Sequence, residues 1–291
     1  MKKTIDSLIL LRIPFSIYLM PIYWFSLSNL NEIDPLRALA VFAIFHLFVY
    51  PASNGYNSYF DRDTSSIGGL ENPPEVNSHL FKIVVVFDLL SICCSYLISP
   101  IFSALVLVYM IVSKAYSFKK IRLKKYPFLG AASVVIFQGA FTFLTIQYGV
   151  GITETDLISS SNLSLALVST LFLLGSYPLT QVYQHEEDKL HEDNTLSRVL
   201  GLRGTFLFSA ILFMIATTVL VVVYYFSNQY VNIGIYLGMG IPVIVAFYRW
   251  QKKVSNDLNE ADFANTMLMN KMSSLCMSAA FIIMIVVTGS G

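Results

Sequence analysis

Nine separate runs of mostly apolar residues, each close to the length that crosses a bilayer, dominate this sequence of 291 residues. They lie near 7–28, 36–56, 80–98, 101–118, 128–148, 163–183, 204–226, 232–249 and 272–289. A hydrocarbon core roughly 30 Å thick takes about 20 helical residues to cross. Inside it a backbone must satisfy its own hydrogen bonds, so the chain is predicted to be an all-α membrane protein. Charged residues make up only 13% of the chain, against the roughly 25% with which a soluble domain covers its surface. A soluble enzyme is thereby excluded, a lipid bilayer is the expected surroundings, and no nucleic-acid partner is expected. The first run follows Met1-Lys2-Lys3 as a secretory leader would. It continues past residue 20 with no small-residue cleavage site, and is read as the first membrane helix. Cys93, Cys94 and Cys276 fall inside apolar stretches and show neither metal nor disulfide spacing.

The polar connections carry the orientation. Cytoplasmic loops hold the excess of Lys and Arg. With the N-terminus cytoplasmic, the connections after helices 2, 4, 6 and 8 share its side. All 19 basic residues except Arg37 then fall there. The expectation is a multi-pass protein with its N-terminus cytoplasmic and its C-terminus, Gly291, outside; in a bacterium this means the inner membrane. The connections are too short for a second domain, so residues 1–291 are read as one.

The loops also echo one another. An acidic cluster follows helix 2 (Asn57 to Asp63), and another follows helix 6 (Gln184 to Asp188). Helix 4 ends in Ala115-Tyr116-Ser117-Phe118-Lys119-Lys120, and helix 8 in Phe247-Tyr248-Arg249-Trp250-Gln251-Lys252-Lys253. Two related four-helix halves plus a ninth helix explain this, with the acidic loops facing one cavity. A general preference for Tyr and Lys at membrane edges explains the second recurrence without a repeat.

Asn57 and Asp61 are four apart, as are Gln184 and Asp188, so on a continuing helix each pair shares a face. An amide oxygen beside a carboxylate is the hard-oxygen pair that Mg²⁺ accepts, with phosphate oxygens completing the shell. Tyr116 and Lys120 repeat that spacing after helix 4. Lys120 and Arg122 are candidates to neutralise charge on a departing diphosphate, while Lys124 and Lys125 are left to the positive-inside pattern. The turn-rich stretch from Ser65 to Pro74 is long enough to be a lid over the cavity, or simply a connector. His46 is read as packed, and His185 and His191 as lacking metal spacing. Asp88, near the middle of helix 3, is a functional hint because charge is costly there.

These motifs resemble the UbiA superfamily of intramembrane prenyltransferases. That resemblance implies nine helices and two Asp-rich motifs, after helices 2 and 6, that bind Mg²⁺ and a prenyl diphosphate. In the first motif, Asn-Asp-x-x-Asp-x-x-x-Asp, Asn57 and Asp61 match, while Ser58 and Ser65 replace acids. In the second, Asp188-Lys189 matches the end, and Gln184 and Gln181 stand where acids are usual. Tyr116 and Lys120 match a Tyr-x-x-x-Lys element, with Arg122 one place later than the usual basic neighbour. The implied metal ligands are Asn57, Asp61, Gln184 and Asp188, with Glu187, Glu186 and Asp63 as helpers. Asn57, Lys120, Arg122 and Gln184 are the implied diphosphate contacts. Asp61, Asp188, Tyr116 and Lys120 are the implied catalytic set. The reduced acid count implies one Mg²⁺ in place of two, or a less charged substrate.

The expected activity is transfer of a prenyl group from a prenyl diphosphate to an aromatic or lipid-like hydrophobic acceptor, dependent on Mg²⁺. A terpene cyclase on the same scaffold, a transporter and a non-catalytic member are the alternatives. Transporters gather polar groups near the bilayer midplane, whereas here they gather at the membrane edge.

Overall fold

The computed structural model describes residues 2–289, and side chains through residue 287. Gly291, to which the charge pattern assigns the outer side, lies outside them. Among the described residues there are nine helices long and apolar enough to cross a membrane. They are α1 (Lys2–Leu27), α2 (Pro35–Asp61), α3 (Ser78–Ile98), α4 (Pro100–Ser117), α5 (Pro127–Val150), α6 (Ser160–Leu190), α7 (Leu196–Phe226), α8 (Tyr230–Asn256) and α9 (Phe263–Gly289). Consecutive helices pack on one another and α9 returns to α1, closing the bundle into a ring.

Helix starts follow local chemistry. Pro35, Pro100 and Pro127 each occupy the first turn, where the missing N–H costs nothing. Asp34 accepts from the N–H groups of Leu36 and Arg37, and Ser99 from that of Phe102. The polar ends differ from the sequence expectation. α2 runs five residues further, to Asp61, and α6 runs to Leu190; α7 starts at Leu196 and α9 at Phe263. Hydropathy registers only the crossing of hydrocarbon, whereas these helices continue beyond it as polar turns.

Large apolar side chains point outward, among them Leu36, Leu89, Leu97 and Phe128. Water would oppose that arrangement and lipid favours it. α2 is the central helix, with 56% of its apolar window buried, against 11% for α8. Inside, Gln147 and Asn162 exchange amide hydrogen bonds, and Gln147 also donates to the Ser26 carbonyl, tying α5 to α6 and α1. α1 is interrupted at Arg12, which adopts a left-handed conformation and leads into a 3₁₀ turn at Ile13–Leu19. α6 has a similar 3₁₀ segment at Pro178–Gln184. Both irregular segments border the cavity described next.

Candidate active site

Among the described residues, five other than glycine have positive φ: Arg12, Arg62, Arg122, Glu192 and Asn228. A left-handed residue with a side chain costs roughly 1–2 kcal/mol, and such strain gathers where function holds it. Four of the five flank one end of the bundle. Arg62 terminates α2 directly after Asp61. Arg122 bends the turn after α4, its N–H bonded to the Phe118 carbonyl. Glu192 turns the chain from α6 toward α7, which sets Asp193 inside.

A cavity of about 330 Å³ opens at that end, within the range of small-ligand sites. Its mouth is lined by Asn57, Asp61, Asp63, Lys124, Glu187 and Asp188. Its depth is lined by apolar and aromatic groups such as Leu19, Tyr109, Phe137 and Leu173. Tyr116 of α4 and Tyr177 of α6 meet in the wall, hydroxyl to hydroxyl at 2.8 Å. The stretch after α2 does fold across the mouth. Ile67 is buried in a cluster with Leu10, Leu11 and Tyr56. The Ser66 carbonyl accepts from Gln184 Nε2 at 3.4 Å, and the Gly68 carbonyl from Arg12 Nη1 at 3.1 Å.

The structure brings Asn57, Asp61, Gln184, Asp188, Glu187 and Tyr116 to this one cavity. Ser117 Oγ donates to Asn57 Oδ1 at 3.0 Å, and Thr195 Oγ1 to Asp188 Oδ2 at 2.9 Å. The basic residues are rearranged. Lys120 is exposed and does not line the cavity. Arg122 stands behind the wall, binding both oxygens of Asp193 at 2.8 and 2.9 Å and reaching Asp61 Oδ1 at 3.4 Å. Lys124, read from sequence as an ordinary loop charge, is buried instead. Its ammonium lies 2.9 Å from Asp61 Oδ2 and 3.1 Å from Asp193 Oδ2. The left-handed turn at Arg122 is the cause, since it reverses the chain and returns Lys124 toward the bundle.

Burial alone would lower the pKa of both cations. For Arg122, the hydrogen bonds and charge of Asp193 outweigh it, and for Lys124 the charges of Asp61 and Asp193 do so; both end raised. Asp63 moves the other way from a normal carboxylate, pushed up to about 6 by burial and by the carboxylates of Asp61 and Glu187, against the opposing pull of Lys124 and His191.

Arg12 and Asp193 are absent from the site residues expected from sequence, and His191 is expected there to lack metal spacing. Arg12 lines the cavity, and its buried Nε has no hydrogen-bond partner among the described residues. Asp193 is wholly buried and organises the cations. His191 stands 3.5 Å from Glu187 Oε1 and 3.8 Å from Asp63 Oδ1. The four-residue step from Glu187 to His191 was visible in the sequence, but Asp63 arrives only through the fold. Asp88 pairs with Lys114 at 2.8 Å across α3 and α4, an ordinary compensated charge. His46 is packed against Phe42, Tyr23 and Tyr50 as expected. Tyr248, the counterpart of Tyr116 in the sequence echo, is 62% exposed and takes no part.

Residues 18–275 match the family described as the UbiA prenyltransferase family. The chain belongs to that family. It is a multi-pass integral membrane protein and, as a UbiA member, a prenyltransferase. Solved structures share the UbiA fold. A UbiA homolog from Archaeoglobus fulgidus bound to GPP and Mg²⁺ aligns with TM-score 0.68 and 17% identity, over 97% of this chain and 99% of that one. The same homolog bound to DMAPP and Mg²⁺ aligns with TM-score 0.68 and 16% identity, with the same coverage. A structure of digeranylgeranylglyceryl phosphate synthase gives TM-score 0.61 and 20% identity, over 99% of both chains. No curated protein matches the chain by sequence.

The donors present suit Mg²⁺. Asn57, Asp61, Asp63, Gln184, Glu187 and Asp188 all offer amide or carboxylate oxygens to one cavity, the hard ligands that this ion takes.

Proposed function

We propose that this chain transfers a prenyl group from a prenyl diphosphate to an aromatic or lipid-like hydrophobic acceptor, with Mg²⁺ as cofactor. One observation carries the reading: a single cavity has a charged, oxygen-rich mouth and an apolar, aromatic depth. An amphiphile with an anionic head and a hydrocarbon tail fits such a site. The relatives of known structure bound to GPP or DMAPP together with Mg²⁺ support the same substrate class.

Asn57, Gln184 and Asp188 are the proposed metal ligands, with Asp61, Asp63 and Glu187 beside them. Bound there, Mg²⁺ would supply positive charge to the diphosphate oxygens. Lys124 and Arg12 take the diphosphate contacts first expected of Lys120 and Arg122, because they line the cavity. In the reaction the bond between the allylic carbon and the diphosphate oxygen breaks, and the diphosphate leaves with the electron pair. Acceptor electrons form the new bond to carbon, and the acceptor then gives up a proton. The rings of Tyr116 and Tyr177 face the space where the allylic cation forms and stabilise it through their π-electrons. The lid after α2 keeps water, the competing nucleophile, away. The polar groups gather at one end of the bundle, which favours an enzyme acting on a head group over a midplane transporter.

The test uses the purified protein in lipid nanodiscs with labelled geranylgeranyl diphosphate, a membrane lipid extract as acceptor source, and Mg²⁺. Wild type is expected to form a prenylated product, and Asp188→Asn to lose at least about tenfold in rate. No binding of prenyl diphosphate by wild type, with or without Mg²⁺, would overturn the reading.

A further inference from the structure

The carboxylates of the cavity divide into two sets. Asp61 and Asp193 are neutralised by Arg122 and Lys124, two anions against two cations, in a nearly closed cluster. Asp63 and Glu187 are not. Among the described residues they have only His191 within ion-pair reach, a cation only when protonated. Their side chains are 17% and 12% exposed, so water compensates little.

We propose that Asp63, Glu187 and His191 form a divalent-cation site that bridges the loop after α2 and the end of α6. One ligand atom from each lies within 4.8 Å of the others. Ligands held about 2.1 Å from a common ion stand roughly 3–4.2 Å apart, so the separations from His191 need little adjustment. The frame is set: the Thr64 N–H donates to Glu187 Oε1 at 3.2 Å, which ties the loop after α2 to α6. Two further groups point to a bound molecule in the same cavity. Ser58 is only 4% exposed, lines the cavity and leaves its Oγ without a hydrogen-bond partner among the described residues. Arg12 Nε is likewise buried, unpartnered and on the cavity wall. An ion at the proposed site and an anionic ligand against Ser58 and Arg12 would together satisfy every one of these groups.

The site sits off the motif positions. Ser58, Ser65, Gln181 and Gln184 stand where the family resemblance implies acids, and Asp63, Glu187 and His191 offer a donor set one step aside, with a nitrogen in place of an oxygen. Imidazole raises affinity for transition ions over Mg²⁺, so this site should bind Mn²⁺ more tightly than Mg²⁺. The ion's use in diphosphate binding rests on the proposed function, whereas its ligands do not.

The test titrates Mn²⁺ alone into the full chain in nanodiscs and follows it by electron paramagnetic resonance. The expected result is one tightly bound ion whose pulsed spectrum shows coupling to an imidazole nitrogen. His191→Gln should abolish that coupling, and His185→Gln should retain it. Asp63→Asn and Glu187→Gln should each weaken Mn²⁺ binding about tenfold or more. His191→Asp should recover affinity without the nitrogen coupling, which separates ligation from folding. A wild-type spectrum without nitrogen coupling, or coupling that survives His191→Gln, would overturn the site. Prenyl transfer measured in parallel keeps the two conclusions apart. Transfer without the nitrogen-coupled ion leaves the function standing and removes the site, while the ion without transfer does the reverse.

Discussion

The Lys124 ammonium lies 2.9 Å from Asp61 Oδ2, and both side chains are buried at the cavity mouth. The charges of Asp61 and Asp193 outweigh the lowering effect of burial, so Lys124 stays protonated. On the proposed function, it is the fixed cation that an incoming diphosphate would meet. A hydrogen bond to a charged group contributes about 1.5–3 kcal/mol, which is about tenfold or more in affinity. Lys124→Met should therefore raise KM for prenyl diphosphate about tenfold, measured in nanodiscs at saturating Mg²⁺. Lys120→Met, altering an exposed residue outside the cavity, should stay within about twofold of wild type. The opposite ranking would return the diphosphate role to Lys120.

Asp193 holds the cluster together. It is fully buried, binds Arg122 through both oxygens and Lys124 through one, and its carbonyl accepts from Arg198 Nη1. Asp193→Asn leaves buried Lys124 and half-buried Arg122 with Asp61 as their remaining carboxylate partner. Breaking a buried pair costs about 3–5 kcal/mol, and a thermal midpoint in detergent about 10 °C lower is the expected readout. Glu192→Gln is the contrast. Its partner Lys125 is 3.4 Å away and both are well exposed, so its loss should cost under about 1 kcal/mol.

The crossings were legible from hydropathy because lipid demands apolar length, and starts at Pro35, Pro100 and Pro127 fell within a residue of expectation. The site was legible only in outline. Asn57, Asp61, Gln184 and Asp188 follow from helical spacing, since α2 and α6 do continue past the hydrocarbon. Lys120, Arg122 and Lys124 lie within five positions of one another, and which one turns inward depends on the left-handed geometry of Arg122. Sequence spacing does not carry that geometry. Asp193 was invisible for a related reason, because its burial depends on the turn at Glu192.

Gly69 sets the lid. It has φ +85°, and a Cβ there would lie 2.8 Å from Phe15 Cδ2. Gly69→Ala is thus strained in backbone and in contact, at roughly 1–2 kcal/mol for the backbone alone. The lid should open more often without loss of the bundle. Limited proteolysis between residues 62 and 77 should quicken several-fold, and a larger share of prenyl diphosphate should be hydrolysed without transfer. Unchanged cleavage and partitioning would mean that closure does not depend on this turn.

Asp63 gives the metal-free protein a specific response to pH. Burial, then the charges of Asp61 and Glu187, push its carboxyl up to about 6, against the opposing pull of Lys124 and His191. In the unfolded chain it titrates near 3.9. Between about pH 4 and pH 6 the folded state therefore keeps a proton that the unfolded state has released. Stability from this group falls as pH rises through that window, because the folded state binds more protons there. Thermal midpoints measured in chelator from pH 4 to pH 7 should carry this downward contribution. Asp63→Asn should remove it, making the change from pH 4 to pH 6 less negative than in wild type. An identical pH profile in the variant would place the Asp63 carboxyl in a more solvated setting than its 17% exposure indicates.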